Sequence, residues 1–132
     1  MIFRYLGWAT LIAVAVMVLP YVLRMLNTWV FKRKSKGLLQ VIKFLRAIHK
    51  PLGLLIVLVA MVHGFGMLGR FRLHTGSLTL MSLVLTGILG AIFWQKKDKR
   101  ALQGHRVMSL VSVILLLIHL FWPSALFKLF GI

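Results

Sequence analysis

The chain has 132 residues, 61% of them hydrophobic, and a mean hydropathy of +0.96, an apolar share well above the roughly one half of an ordinary soluble domain. Seventeen Lys and Arg face a single acid, Asp98, for a net charge of +16, which excludes paired-carboxylate chemistry and a carboxylate cage for calcium or magnesium. Cysteine is absent, and this excludes disulfides, thiolate catalysis, iron–sulfur ligation and covalent c-type haem attachment.

In chain order, clusters of charge separate four apolar runs. The first covers residues 5–31, broken by Arg24. It is too long for the apolar region of a signal peptide, and Ala13-Val14-Ala15 leads into more apolar sequence, so it reads as a retained helix. Residues 38–48 follow with their own pattern. Leu38, Leu39, Val41, Ile42, Leu45 and Ile48 alternate with Lys36, Lys43, Arg46 and Lys50, an amphipathic helix that either lies at the membrane interface or begins the second span. Pro51 marks a first-turn position or a kink. The remaining runs cover 51–68, 73–94 and 107–122.

Each run approaches the roughly 20 residues that cross a hydrocarbon core of about 30 Å. Strand periodicity is absent, so helices are the way to satisfy the backbone in lipid. The expected fold is an all-α integral membrane protein. It is a single domain over residues 1–132, a four-helix transmembrane bundle running up-down-up-down, with helices at about 5–31, 41–69, 73–95 and 102–122. A nucleic-acid partner is not expected, because a basic binding domain interleaves Lys and Arg with polar residues instead of confining them to loops.

Charge also orients the chain. Between the first and second helices lie Lys32, Arg33, Lys34, Lys36, Lys43, Arg46 and Lys50; between the third and fourth lie Lys96, Lys97, Lys99, Arg100 and Arg106. Those twelve stand against Arg4, Arg70, Arg72 and Lys128 at the other ends. The positive-inside rule then predicts a multi-pass protein of the cell membrane with both termini outside and the basic loops cytoplasmic.

Histidines mark the candidate chemistry. His49 and His63 are fourteen residues apart on the second helix, and His105 and His119 are fourteen apart on the fourth. In a left-handed bundle fourteen residues make four turns, so each pair faces one way with about 21 Å between its members. Both helices run outward from the basic loops, which sets His49 level with His105 and His63 level with His119. Two imidazoles at one depth on facing helices suit the two axial positions of a haem. The expected cofactors are therefore two haem b, an inner one on His49/His105 and an outer one on His63/His119. A shared zinc ion is excluded by the distance between the pairs.

On the third helix Gly76 and Gly90 are also fourteen apart, with Thr79, Leu83 and Thr86 on the same seam. They are expected at the two haem levels, where a glycine admits a porphyrin edge, though small residues also serve plain helix packing. Ser112, midway between His105 and His119, faces the space between the haems or bonds its own helix carbonyl. Arg46 and Arg106 are inner candidates for the haem propionates; Arg70 and Arg72 are outer ones. His74 has three readings: an interface residue, a haem-edge contact or a proton acceptor at a quinol site.

With Arg46-Ala-Ile-His49, His63-Gly64 and Ile118-His119-Leu120-Phe121 in place, the sequence resembles the four-helix di-haem core of the cytochrome b family, as in the quinol:cytochrome c oxidoreductases. Ferric-reductase and NADPH-oxidase membrane domains share a similar histidine spacing. The resemblance implies a low-potential and a high-potential haem b on the four histidines, with Arg46 on a propionate. Three features depart from the family. Four helices are read instead of more, fourteen after Gly7 comes Tyr21 and not glycine, and the charge orients the bundle the other way. The haems are therefore carried over and the bifurcating quinol chemistry is not.

The expected function is transmembrane electron transfer through two bis-histidine haems, as a membrane cytochrome subunit of an oxidoreductase, whose own enzyme activity stays open. No dinucleotide or flavin motif is read, so the lipid bilayer is joined as partner by a redox subunit, a diffusible carrier or a quinone. The alternatives are a membrane ferric reductase or superoxide/quinone oxidoreductase acting at the outer haem edge, and a haem-free anchor or assembly subunit.

Overall fold

A computed structural model describes residues 2–32, 35–69 and 73–130. The described chain is helical throughout: α1 (Ile2–Trp29), α2 (Lys36–Leu68), α3 (Thr75–Lys96), α4 (Lys99–Phe121) and a short α5 (Ala125–Phe130). The first four are long and apolar enough to cross a membrane. At 1.5 Å per residue they measure about 42, 50, 33 and 35 Å. The protein is thus of the multi-pass membrane type that the four runs predict.

Caps explain where the helices begin. Ser35 precedes α2 and accepts from the Leu38 N–H at 3.4 Å. Asp98 precedes α4 and accepts from Arg100 N–H at 2.8 Å, so α4 starts at Lys99, three residues before the expected position. Lys97, left-handed at φ 55°, ends α3, and only Lys97 and Asp98 separate the two helices. The amphipathic segment is no separate element: α2 begins at Lys36 and continues through Pro51. Pro51 has no N–H to donate, so the Ala47 carbonyl loses its helical partner there.

α1 packs on α2 and α3 on α4, with a smaller contact between α2 and α3. Along the first pair, Phe3 meets Gly66, Gly7 meets His63 and Met17 meets Gly53, so residue numbers rise on one helix as they fall on the other. The second pair behaves alike, with Gly76 against His119, Thr86 against Ser112 and Gly90 against His105. The Lys50 ammonium sits 4.2 Å from the Trp94 ring centre and ties α2 to α3 at the basic end.

Burial is inverted relative to a water-soluble bundle. The buried side chains include Thr10, Thr75, Ser77, Thr79, Ser82 and Ser112, whereas Leu54, Leu58, Val62 and Ile114 face outward. Several of the hydroxyls are satisfied inside their own helices: Thr10 donates to Leu6 O, Thr79 to Thr75 O and Thr86 to Ser82 O. Ser112 bonds its own helix, donating to Met108 O at 2.8 Å, and lies 3.2 Å from the Thr86 hydroxyl. Small and hydroxylic residues inside with large aliphatics outside suit a bundle whose surroundings are hydrocarbon.

Leu58, on the outer face of the α2 span, gives a direct check. Leu58→Arg is expected to weaken membrane insertion of α2 by about 2.5–3.5 kcal/mol, the cost of arginine at a helix centre, measured in a translocon insertion assay. A change under about 0.5 kcal/mol, normal for a water-exposed site, contradicts a lipid-facing surface.

Candidate functional site

The four expected histidines come together in two pairs, one from α2 and one from α4 in each. The His49 and His105 ring centroids are 6.1 Å apart at an interplanar angle of 69°; those of His63 and His119 are 6.5 Å apart at 73°. All four are partly buried. Little backbone contact joins α2 to α4 among the described residues, so the imidazoles reach toward each other across the space between the two helix pairs.

Two of the described ring nitrogen contacts fix a proton. His63 Nδ1 lies 2.6 Å from the Phe3 carbonyl and His105 Nδ1 lies 2.8 Å from the Thr86 carbonyl. A carbonyl only accepts, so both histidines carry their proton on Nδ1 and leave Nε2 with a free lone pair. His119 Nδ1 lies 3.0 Å from the Thr75 hydroxyl. A ring whose Nδ1 is tied to a protein acceptor turns Nε2 toward whatever lies on its other side.

Glycines let the rings in. A Cβ on Gly7 would stand 2.8 Å from His63 Cε1, one on Gly76 2.9 Å from His119 Cε1, and one on Gly90 3.0 Å from His105 Nδ1. Gly76 and Gly90 thus lie at the expected levels, but what presses on them is a neighbouring imidazole, which gives a reason for glycine other than a macrocycle edge. Gly7 was left unpaired by the sequence. It serves His63 from α1, and the register that brings it there depends on how α1 slides along α2.

Between the helices at the His63/His119 level lies a cavity of about 250 Å³, lined by Gly7, Thr10, Gly76 and Thr79 together with both histidines. Arg4, on the first turn of α1, also lines it. Sequence spacing did not single out Arg4, because its link to the cavity again runs through the α1–α2 register. Arg46 and Arg106 are exposed side chains beside the His49/His105 pair. Arg70 and Arg72 lie outside the described residues.

His74 has a structural task that none of its three readings included. It is the N-cap of α3: Nδ1 accepts from Gly76 N–H at 3.3 Å, and its own N–H donates to the Ser77 hydroxyl at 2.9 Å. Its ring also stands 5.8 Å from that of His119, edge to face. Thr75, the next residue, donates to the Pro123 carbonyl at 2.9 Å and so joins the start of α3 to the end of α4. Among the described residues, no three His, Cys, Asp or Glu side chains converge as a self-contained metal cage.

Comparison of the chain with protein-family models, curated proteins and solved structures finds no match.

Gly90→Val tests the ring seat. The added methyl groups are expected to push His105 off the Thr86 carbonyl and to destabilise the fold by about 1–3 kcal/mol, the cost of an unmade buried hydrogen bond. In ¹⁵N-histidine spectra the Nδ1–H signal of His105 should disappear while that of His63 persists. An unchanged His105 signal contradicts the seat.

Proposed function

We propose that the bundle holds two b haems, one on His49/His105 and one on His63/His119, and that it carries electrons across the membrane. The observation that carries this reading is the repeated imidazole pair. Two imidazoles on opposite sides of one metal, with bonds of about 2.0 Å and ring centres about 1.1 Å behind each nitrogen, have centroids about 6 Å apart. The two pairs stand at 6.1 and 6.5 Å.

Donor chemistry favours haem over a bare ion. Two imidazoles fill half of a zinc tetrahedron, but they complete a haem iron, whose macrocycle brings its own four nitrogens. A haem held by these histidines would supply a one-electron iron centre. The remaining work falls to the protein. The Phe3 and Thr86 carbonyls and the Thr75 hydroxyl hold the Nδ1 side of the imidazoles and aim the rings, Gly7, Gly76 and Gly90 give the rings room, and the outer aliphatics keep the interior dry. Arg46 and Arg106 at the inner site, and Arg4 with Arg70 at the outer, are the proposed donors to anionic propionates.

In this reading the helices run up-down-up-down, the termini are outside and the basic loops are cytoplasmic. The resemblance to the cytochrome b core rests on the histidine spacing and the residues beside it, and the proposed electron donor and acceptor are a partner subunit, a diffusible carrier or a quinone. Fourteen residues on α2 and on α4 set the two pairs about 21 Å apart along the bundle, so haems held there would lie toward opposite ends of it.

The purified protein is expected to show a reduced-minus-oxidised spectrum of b-type haem and two haems per chain. His63→Ala or His119→Ala removes one haem, and His49→Ala or His105→Ala removes the other. A purified protein without b-type haem overturns the reading and leaves an anchor or assembly subunit.

A further inference from the structure

We propose that Thr75 is a positioning residue of the outer site: its buried hydroxyl, locked on the Pro123 carbonyl, holds the proton of His119 on Nδ1 and so strengthens His119 as a ligand. This rests on the di-haem reading. Thr75 is 3% exposed. Its hydroxyl has one proton and three neighbours: Pro123 O at 2.9 Å, His119 Nδ1 at 3.0 Å and His74 Nδ1 at 3.5 Å. The carbonyl can only accept, it is the nearest, and His74 Nδ1 already accepts from Gly76 N–H at 3.3 Å. The hydroxyl proton therefore goes to Pro123 and an oxygen lone pair faces His119.

Consequently His119 donates from Nδ1, and its Nε2 lone pair is free for the metal. The other two described Nδ1 partners, Phe3 O and Thr86 O, are main-chain carbonyls. Thr75 supplies its link from a side chain, which makes it the adjustable one. An imidazole that donates Nδ1–H is a more basic ligand, and a more basic ligand favours oxidised iron. Thr75 thereby lowers the potential of the outer haem without touching it. Pro123 is held by its own turn, in which Ala125 N–H donates to Trp122 O at 3.0 Å, so the α4–α5 junction sets the direction of the hydroxyl.

The test is a redox titration with haem-binding measurements on the purified full chain carrying Thr75→Val, Thr75→Ala or Thr75→Ser. With Val, and with the less bulky Ala, one of the two midpoint potentials should move to more positive values. Affinity at that site should fall about 10–100-fold, the usual effect of losing a second-shell partner, and the other haem should be unchanged. Ser, which keeps the hydroxyl, should restore both quantities. Wild-type values in Val and Ala, equal shifts at both haems, or Ser behaving as Val each overturn the assignment. Loss of both haems from Val and Ala alike would give Thr75 to the fold and also overturn it. A wild-type chain that binds no haem fails the underlying reading instead, before any variant is compared.

Discussion

A ring nitrogen in a helical bundle surrounded by hydrocarbon has no water to turn to, so each imidazole must place its proton on a protein acceptor and keep its lone pair for something else. In this chain His63 and His105 place that proton on carbonyls of other helices, Phe3 on α1 and Thr86 on α3. Much else follows from those bonds. They require the ring to lie against a neighbouring backbone, which requires glycine at positions 7 and 90. They also aim the remaining nitrogens of α2 and α4 toward a common space.

The same shortage of water accounts for the inverted burial. Most of the buried threonine and serine hydroxyls bond a carbonyl of their own helix, so they demand little from neighbouring helices and add little bulk; Thr75 instead donates to Pro123. Many leucine, isoleucine and phenylalanine side chains sit outside, where hydrocarbon receives them at no cost, while Ile42, Leu45 and Ile56 are buried. The basic surplus collects at the ends of the helices, and among the described residues the one acid, Asp98, is spent on a helix cap rather than an ion pair.

Much of this was legible in the sequence, and the boundary has a physical cause. Helix spans follow from the length of apolar runs, and the coincidence of His49 with His105 and of His63 with His119 follows from equal spacing on α2 and α4. Cross-helix register does not follow from either. Gly7 meets His63 and Arg4 reaches the cavity through the sliding position of α1 on α2, which is set by Phe3 fitting at Gly66 and Met17 at Gly53. Thr75 was invisible for a related reason, since its partner Pro123 lies 48 residues away. The early start of α4 is written in the sequence, because Asp98 is a good N-cap. The run through Pro51 was not readable, because helix continuation there depends on packing and not on local preference.

α1 and α2 form one packed pair and α3 and α4 the other, and the couples His49/His105 and His63/His119 each take one member from each. Neither pair alone supplies both members of either couple. A ligand gripped by both therefore cannot bind before the pairs meet, and once bound it opposes their separation. For a cofactor held as proposed, capture and the final assembly of the bundle would be a single thermodynamic step, so during biogenesis its supply would govern how much of the protein survives as a finished bundle.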